Sequence, residues 1–179
     1  MTPSLNNIVL IGMPGAGKST VGVLLAKRLG LGFIDTDIHI QQREGCSLQA
    51  LITAHGAEAF CRIEEGHILS LALASHVIAP GGSVVYSAKA MAHLKAGGCA
   101  VHLDITVERL KRRLDDVDAR GVVIAPGQTI DGLYAERRPL YLAYADASVS
   151  TDGLTPEEVV CEIISELSRL GDPTAPPVQ

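Results

Sequence analysis

The stretch that most limits what this chain can become is Gly12-Met13-Pro14-Gly15-Ala16-Gly17-Lys18-Ser19-Thr20, which satisfies G-x-x-x-x-G-K-[ST]. Ahead of it, Ile8-Val9-Leu10-Ile11 is a short continuous apolar run of the kind that makes a buried parallel strand. Behind it, Val21, Leu24, Leu25 and Leu29 recur at helical spacing, and Gly30 stands where such a helix ends. Strand, glycine loop and helix in that order is the context the motif requires. The glycines let backbone N–H groups turn inward around a polyphosphate, and the helix N-terminus adds its partial positive charge. Gly15, Ala16, Gly17, Lys18, Ser19 and Thr20 are therefore the expected nucleotide-binding residues. Lys18 can reach the β- and γ-phosphates, and the Ser19 hydroxyl can hold Mg²⁺. The stretch implies a nucleotide and leaves open what receives its phosphate.

The rest of the chain alternates short strands with helices. Phe33-Ile34-Asp35 reads as a second strand, and Ile38–Arg43 as helical turns closed by Gly45. Ser47 can cap a helix whose apolar face is Leu48, Leu51 and Ile52. A longer helix is expected over Glu58–Ala74, then a strand at Val77-Ile78-Ala79 that runs into Pro80-Gly81-Gly82-Ser83. A short helix at Met91–Lys95, a strand at Ala100–Leu103 and a helix at Val107–Leu114 follow, with Glu108 and Arg112 spaced to pair. Residues 115–128 carry charges, two glycines and Pro126 without helical period, and are expected to form a mobile lid. Thr129–Ala145 is helical with Pro139 expected to bend or break it, Ala147–Ser150 is a last strand, and Pro156 opens a final helix to Leu170. Residues 171–179 hold three prolines and read as a frayed tail.

This alternation predicts one α/β domain over residues 1–170, three-layered, with a central parallel sheet of about five strands and helices on both faces. In such sheets ligands sit at the carboxyl ends of the strands. Gly12–Thr20, Asp35–Asp37 and Gly81–Ser83 are thereby expected around one crevice. At 179 residues the chain is long enough for a substantial core, which aliphatic side chains must fill, since Phe33 and Phe60 are the only phenylalanines and tryptophan is absent. A net charge of −5 argues against a nucleic-acid surface. Cys46, Cys61, Cys99 and Cys161 lack C-x-x-C spacing, which suggests reduced thiols, and none of the six histidines has metal-ligand spacing. With no signal-peptide pattern and Ile68–Ala79 too short to cross a bilayer, a cytoplasmic, membrane-free monomer is the expectation.

Asp35-Thr36-Asp37 places two carboxylates at a strand end. Asp35 can touch Mg²⁺ directly or through water, and Asp37 can draw the proton from an acceptor hydroxyl. Either aspartate can instead cap the helix beginning near Ile38. Together with the glycine loop, these residues resemble the shikimate kinase family of P-loop kinases, from about Asn7 to Leu170. The likeness includes D-T-D, a G-x-E-x-F…I-E-E stretch at Gly56–Glu65, the glycine turn, a lid arginine, and Glu136-Arg137-Arg138-Pro139-Leu140-Tyr141 followed by Ala145-Asp146.

The resemblance implies ATP as co-substrate, Mg²⁺ as cofactor and shikimate as acceptor, with a substrate-binding segment at about 37–65. Asp37 would bind the acceptor hydroxyls, Asp35 would support the metal beside Ser19, and Gly81 and Gly82 would lie against the acceptor ring. Arg137 would hold its carboxylate, Arg120 would fold over the transferring phosphoryl group, and Arg113 would stack on adenine. Lys18, Asp37 and Arg120 thus form the expected catalytic set, and Arg109, Lys111 and Arg112 the solvated face of their helix. Arg137 can alternatively pair with Glu136 or Asp146, and Arg120 can be an ordinary loop charge.

Three positions depart from the family pattern. Cys61, read here as a small buried residue, follows Phe60 where the family usually has a second carboxylate-binding arginine. Arg62 comes one helical position, about 100°, too late to replace it. Losing one charge-assisted contact costs about 1.5–3 kcal/mol. Ser83 replaces the third glycine of the turn, and Gly121 replaces the proline after the lid arginine. The alternatives to shikimate are another polyol acid such as gluconate, or nucleotide binding without turnover.

Overall fold

The computed structural model describes residues 7–116 and 127–171. Its centre is a parallel sheet of five strands in the order β2-β3-β1-β4-β5, formed by β1 (Asn7–Ile11), β2 (Gly32–Asp35), β3 (His76–Ala79), β4 (Gly98–Asp104) and β5 (Ala147–Ser150). β1 is buried along its whole length, as a strand flanked on both sides and covered on both faces must be. Its register is fixed by Ile8 opposite Val77 and Cys99, and by Val9 opposite Ile78 and Ala100.

The connection from β1 to β2 moves one way across the sheet, and every later connection moves the other way. Right-handed crossovers therefore place α1 (Lys18–Leu29) on one face and the intervening helices on the other. α8 (Pro156–Arg169) returns to pack on α1. The opposite layer is built from α4 (Ala57–Leu69), α5 (Ala88–Ala96), α6 (Val107–Asp116) and α7 (Ile130–Tyr144), with α4 against α5 and α6 against α7. α2 (Thr36–Glu44) and α3 (Leu48–His55) extend from β2 and enclose a second small core of Ile40, Leu48, Leu51 and Phe60.

Local signals account for most boundaries. Ser47 Oγ accepts from Ala50 N–H at 3.2 Å and starts α3, while Gly45, with φ at 69°, ends α2. Three expectations need correction. α4 stops at Leu69 instead of Ala74, because Ser70 satisfies its last carbonyls, donating from Oγ to His67 O at 2.7 Å and from N–H to Gly66 O. α5 begins at Ala88, earlier than Met91, because Ser87 Oγ accepts from Ala90 N–H, and a 3₁₀ turn at Val84–Tyr86 precedes it. α7 runs through Pro139 as one helix, pinned on either side by buried Leu133, Arg137 and Tyr141. Glu108 meets Arg112 through its backbone carbonyl, which accepts from Arg112 Nε at 3.4 Å. Among the described residues, no helix is long and apolar enough to cross a membrane.

Candidate active site

At the carboxyl end of the sheet, the ends of β1, β2 and β3 open onto one cavity of about 400 Å³. Pro14, Gly15, Gly17, Lys18, Ser19 and Thr20 line it from the first loop, Asp35 and Asp37 from the second, and Gly81, Gly82 and Ser83 from the third. Leu48 and Phe60 supply an apolar wall, and Arg137 of α7 closes the far side. The expected crevice is therefore present, and it includes Arg137, whose position no strand end dictates.

The glycine loop follows the rule that a backbone must be bare where it makes close approaches. A Cβ on Gly12 would sit 2.8 Å from Leu103 O, and its φ of 151° lies where other residues are strained. Lys18 Nζ donates to Gly12 O at 2.9 Å and Met13 O at 3.0 Å, so the loop's own carbonyls hold it in place. Burial pushes the Lys18 ammonium down to about 8, against the opposing pull of Asp37. Outside the loop, Arg113 Nη1 donates to Gly15 O and Ala16 O, each at 3.1 Å, tying α6 to the phosphate-binding backbone.

Asp35 is the cap of α2, one of the two roles foreseen for it. One oxygen caps α2 by accepting from Asp37 N–H at 2.9 Å and Ile38 N–H at 3.2 Å. The other accepts from Ser19 Oγ at 2.6 Å. That pair of hard oxygens beside the phosphate loop suits Mg²⁺, which is held by one or two protein oxygens plus water and phosphate. Among the described residues, no group of three or more His, Cys, Asp or Glu side chains converges as a complete metal site. Asp37 points into the cavity, and burial raises its carboxyl above the usual range despite Lys18 nearby.

The glycine turn is bare for a specific reason. A Cβ on Gly81 would lie 2.5 Å from Glu64 Oε1 and 2.7 Å from Asp37 Oδ1, and one on Gly82 would lie 2.8 Å from Pro14 Cδ and 3.1 Å from Arg137 Nη1. Tyr141, fully buried and stacked on His102 at 5.3 Å, donates from its hydroxyl to Gly82 O at 2.7 Å and anchors that turn. Burial lowers His102 to about 4, so the ring beneath Tyr141 is neutral.

Arg137 is 5 % exposed and pairs with neither Glu136 nor Asp146. Its Nε donates to Tyr86 Oη at 3.1 Å, with the guanidinium 5.1 Å above the Tyr86 ring centroid. Asp146 instead pairs with Lys95 at 2.6 Å and accepts from Ala100 N–H. Ser83 turns to Glu64, donating to Oε2 at 2.6 Å. Glu64 is 2 % exposed and its Oε1 has no partner; burial, eased by the Ser83 bond, raises its carboxyl to about 7.

Cys61, expected to be a small buried residue, is partly buried. Burial and the neighbouring Glu64 raise its thiol above the ordinary range, the opposite of what an activated thiolate needs. Arg62 pairs with Glu58 at 2.5 Å on the exposed side of α4 and leaves the cavity to Arg137. Of the basic cluster on α6, Lys111 pairs with Asp131 at 2.6 Å, Arg109 approaches Asp152 at 4.0 Å, and Arg112 is exposed. Arg120 and most of the expected lid lie outside the described residues. In the sequence Glu64 belongs to a motif that assigns it no role, and nothing there marks Tyr86. The first had a signal, a carboxylate four residues from Phe60 and from Ile68 on an apolar helix face, whereas the second had none.

The sequence profile of the shikimate kinase family matches residues 14–168. The shikimate kinase of Thermobifida fusca is 40 % identical over 167 residues, covering 92 % of this chain and 96 % of that protein. Among solved structures, a shikimate kinase from Acinetobacter baumannii in complex with shikimate superposes with a TM-score of 0.80 at 29 % identity, covering 94 % of this chain and 95 % of the other. The Aquifex aeolicus shikimate kinase does so with a TM-score of 0.78 at 35 % identity, covering 92 % and 98 %. With its phosphate loop, paired aspartates and buried arginine on one cavity, the chain belongs to the shikimate kinase family.

Proposed function

We propose that this chain transfers the γ-phosphoryl group of ATP to a hydroxyl of shikimate, giving shikimate 3-phosphate for aromatic amino-acid synthesis. The observation that carries the reading is the single cavity onto which Lys18, Asp37 and Arg137 all open. The loop amides and Lys18 hold the phosphates and offset the charge that develops during transfer. Asp37 orients the acceptor hydroxyl and takes its proton, a role that its raised carboxyl suits better than an ordinary aspartate would. Arg137 binds the acceptor carboxylate through a planar guanidinium already desolvated in the cavity wall. Arg120, by its match to the family's lid arginine, adds a second cation at the phosphoryl group. Ser19 and Asp35 would hold Mg²⁺, which when bound would offset negative charge on the nucleotide phosphates. Lys18, Asp37 and Arg137 line one cavity within a single chain, which supports a monomer.

Cys61 and the Ser83–Glu64 bond favour a second reading, an acceptor acid of different shape. A guanidinium is absent at Cys61, and a hydroxyl occupies the turn. A coupled ADP-release assay with MgATP decides between them, using shikimate beside gluconate and other polyol acids. The first reading expects turnover of shikimate with kcat/KM at least tenfold above any other acid. Turnover of another acid alone overturns it in favour of the second, and no turnover of any acid overturns both.

A further inference from the structure

Beside the acceptor cavity runs a hydrogen-bonded series that the reading above does not use. Tyr86, on the 3₁₀ turn after the glycines, donates from its hydroxyl to Glu136 Oε1 at 2.6 Å and accepts from Arg137 Nε at 3.1 Å. Glu136 Oε2 accepts in turn from Gln128 Nε2 at 3.0 Å. The direction of each bond is forced. A carboxylate only accepts and a guanidinium only donates, so the one phenolic proton goes to Glu136 and the oxygen lone pairs face Arg137. Burial and the Glu136 bond hold the Tyr86 phenol above the usual tyrosine range, so it keeps that proton at neutral pH.

The consequence is geometric. Arg137 is held at its back edge through Nε and on one face by the Tyr86 ring, 5.1 Å from the guanidinium carbon. The Tyr141 hydroxyl also bonds the guanidinium, Nη1 lies beside Gly82, and the group lines the cavity. A carboxylate is bound well only when both its oxygens lie in the guanidinium plane. With Cys61 in place of a second arginine, the set of that plane decides how well the acceptor is held.

We propose that Tyr86, oriented by Glu136, is a positioning residue that fixes the plane of Arg137 for a carboxylate on the acceptor, and so contributes to selection of acids over their neutral analogues. This inference rests on the acceptor reading above. Tyr86→Phe keeps the ring and removes only the hydroxyl. Steady-state kinetics of wild type and Tyr86→Phe, with shikimate and with its methyl ester, test the proposal. The expected result is a rise of about three- to tenfold in KM for shikimate. The KM for ATP and the kcat stay within about twofold of wild type, and the KM for the ester does not move. An unchanged KM for shikimate, or an equal rise for acid and ester, overturns it.

A readout that needs no turnover separates this inference from the acceptor reading. In ¹⁵N spectra of the free protein, the Arg137 Nε–H of wild type is expected to exchange with solvent at least tenfold more slowly than in Tyr86→Phe. Equal exchange overturns the inference even if shikimate is the acceptor. If wild type fails to turn over shikimate, the acceptor reading falls, and slow exchange abolished by Tyr86→Phe still supports the positioning of Arg137.

Discussion

Glu64 is 2 % exposed, with Ser83 Oγ on one oxygen and no hydrogen-bond partner on the other. Burial raises its carboxyl from 4.5 to about 7. Between those values the folded chain keeps a proton that the unfolded chain has released, so Glu64 makes stability fall as pH rises through that window. A shift of this size corresponds to about 3 kcal/mol, fully expressed above pH ~7. Glu64→Gln removes the ionisable group while keeping an oxygen for Ser83. In urea unfolding at pH 5 and pH 8, the variant is expected to gain on wild type by up to about 3 kcal/mol at the higher pH. Parallel pH profiles would contradict the assignment. Glu64 has a place in a sequence motif, but the burial and the Asp37 carboxylate that raise its carboxyl, and the Arg137 and Lys18 cations that oppose them, come together only in the assembled fold.

At the scale of elements, the caps decide where the helices after β2 start. Ser47 Oγ holds Ala50 N–H, and the next residue, Leu48, is buried in the small core and lines the cavity. Ser47→Ala is expected to lower stability by about 1 kcal/mol in urea unfolding; unchanged stability would show that the cap bond contributes nothing. Such starts and stops were legible because Ser47, Gly45 and Pro156 act within a few residues of themselves. The end of α4 was not, since Leu71 and Leu73 continue the apolar pattern while Ser70 has already turned the chain. Pro139 leaves α7 unbroken for the opposite reason. Local chemistry disfavours proline there, and the burial of Arg137 and Tyr141 on either side outweighs it.

For the molecule as a whole, β1 lies at the point where the order of connection reverses, with β3 on one side and β4 on the other. A crevice at the carboxyl ends of the strands follows from that topology, and the glycine loop fills its floor. This much was legible, because the alternation of strands and helices specifies a parallel sheet, and a parallel sheet specifies its ligand end. What the strands alone left undetermined was the far wall. Arg137 reaches the cavity from α7, which is held there by the packing of Tyr141 against His102 and Gly82 and by the Arg138–Asp104 pair.

The central claim is that nucleotide and acceptor meet in this one cavity, and a crystal structure of the chain with MgADP and shikimate tests it most directly. The expected result is the β-phosphate within the glycine loop, one shikimate hydroxyl within about 3 Å of Asp37, and the shikimate carboxylate in the plane of Arg137. Shikimate bound away from Asp37 and Arg137, with the nucleotide in place, would contradict it.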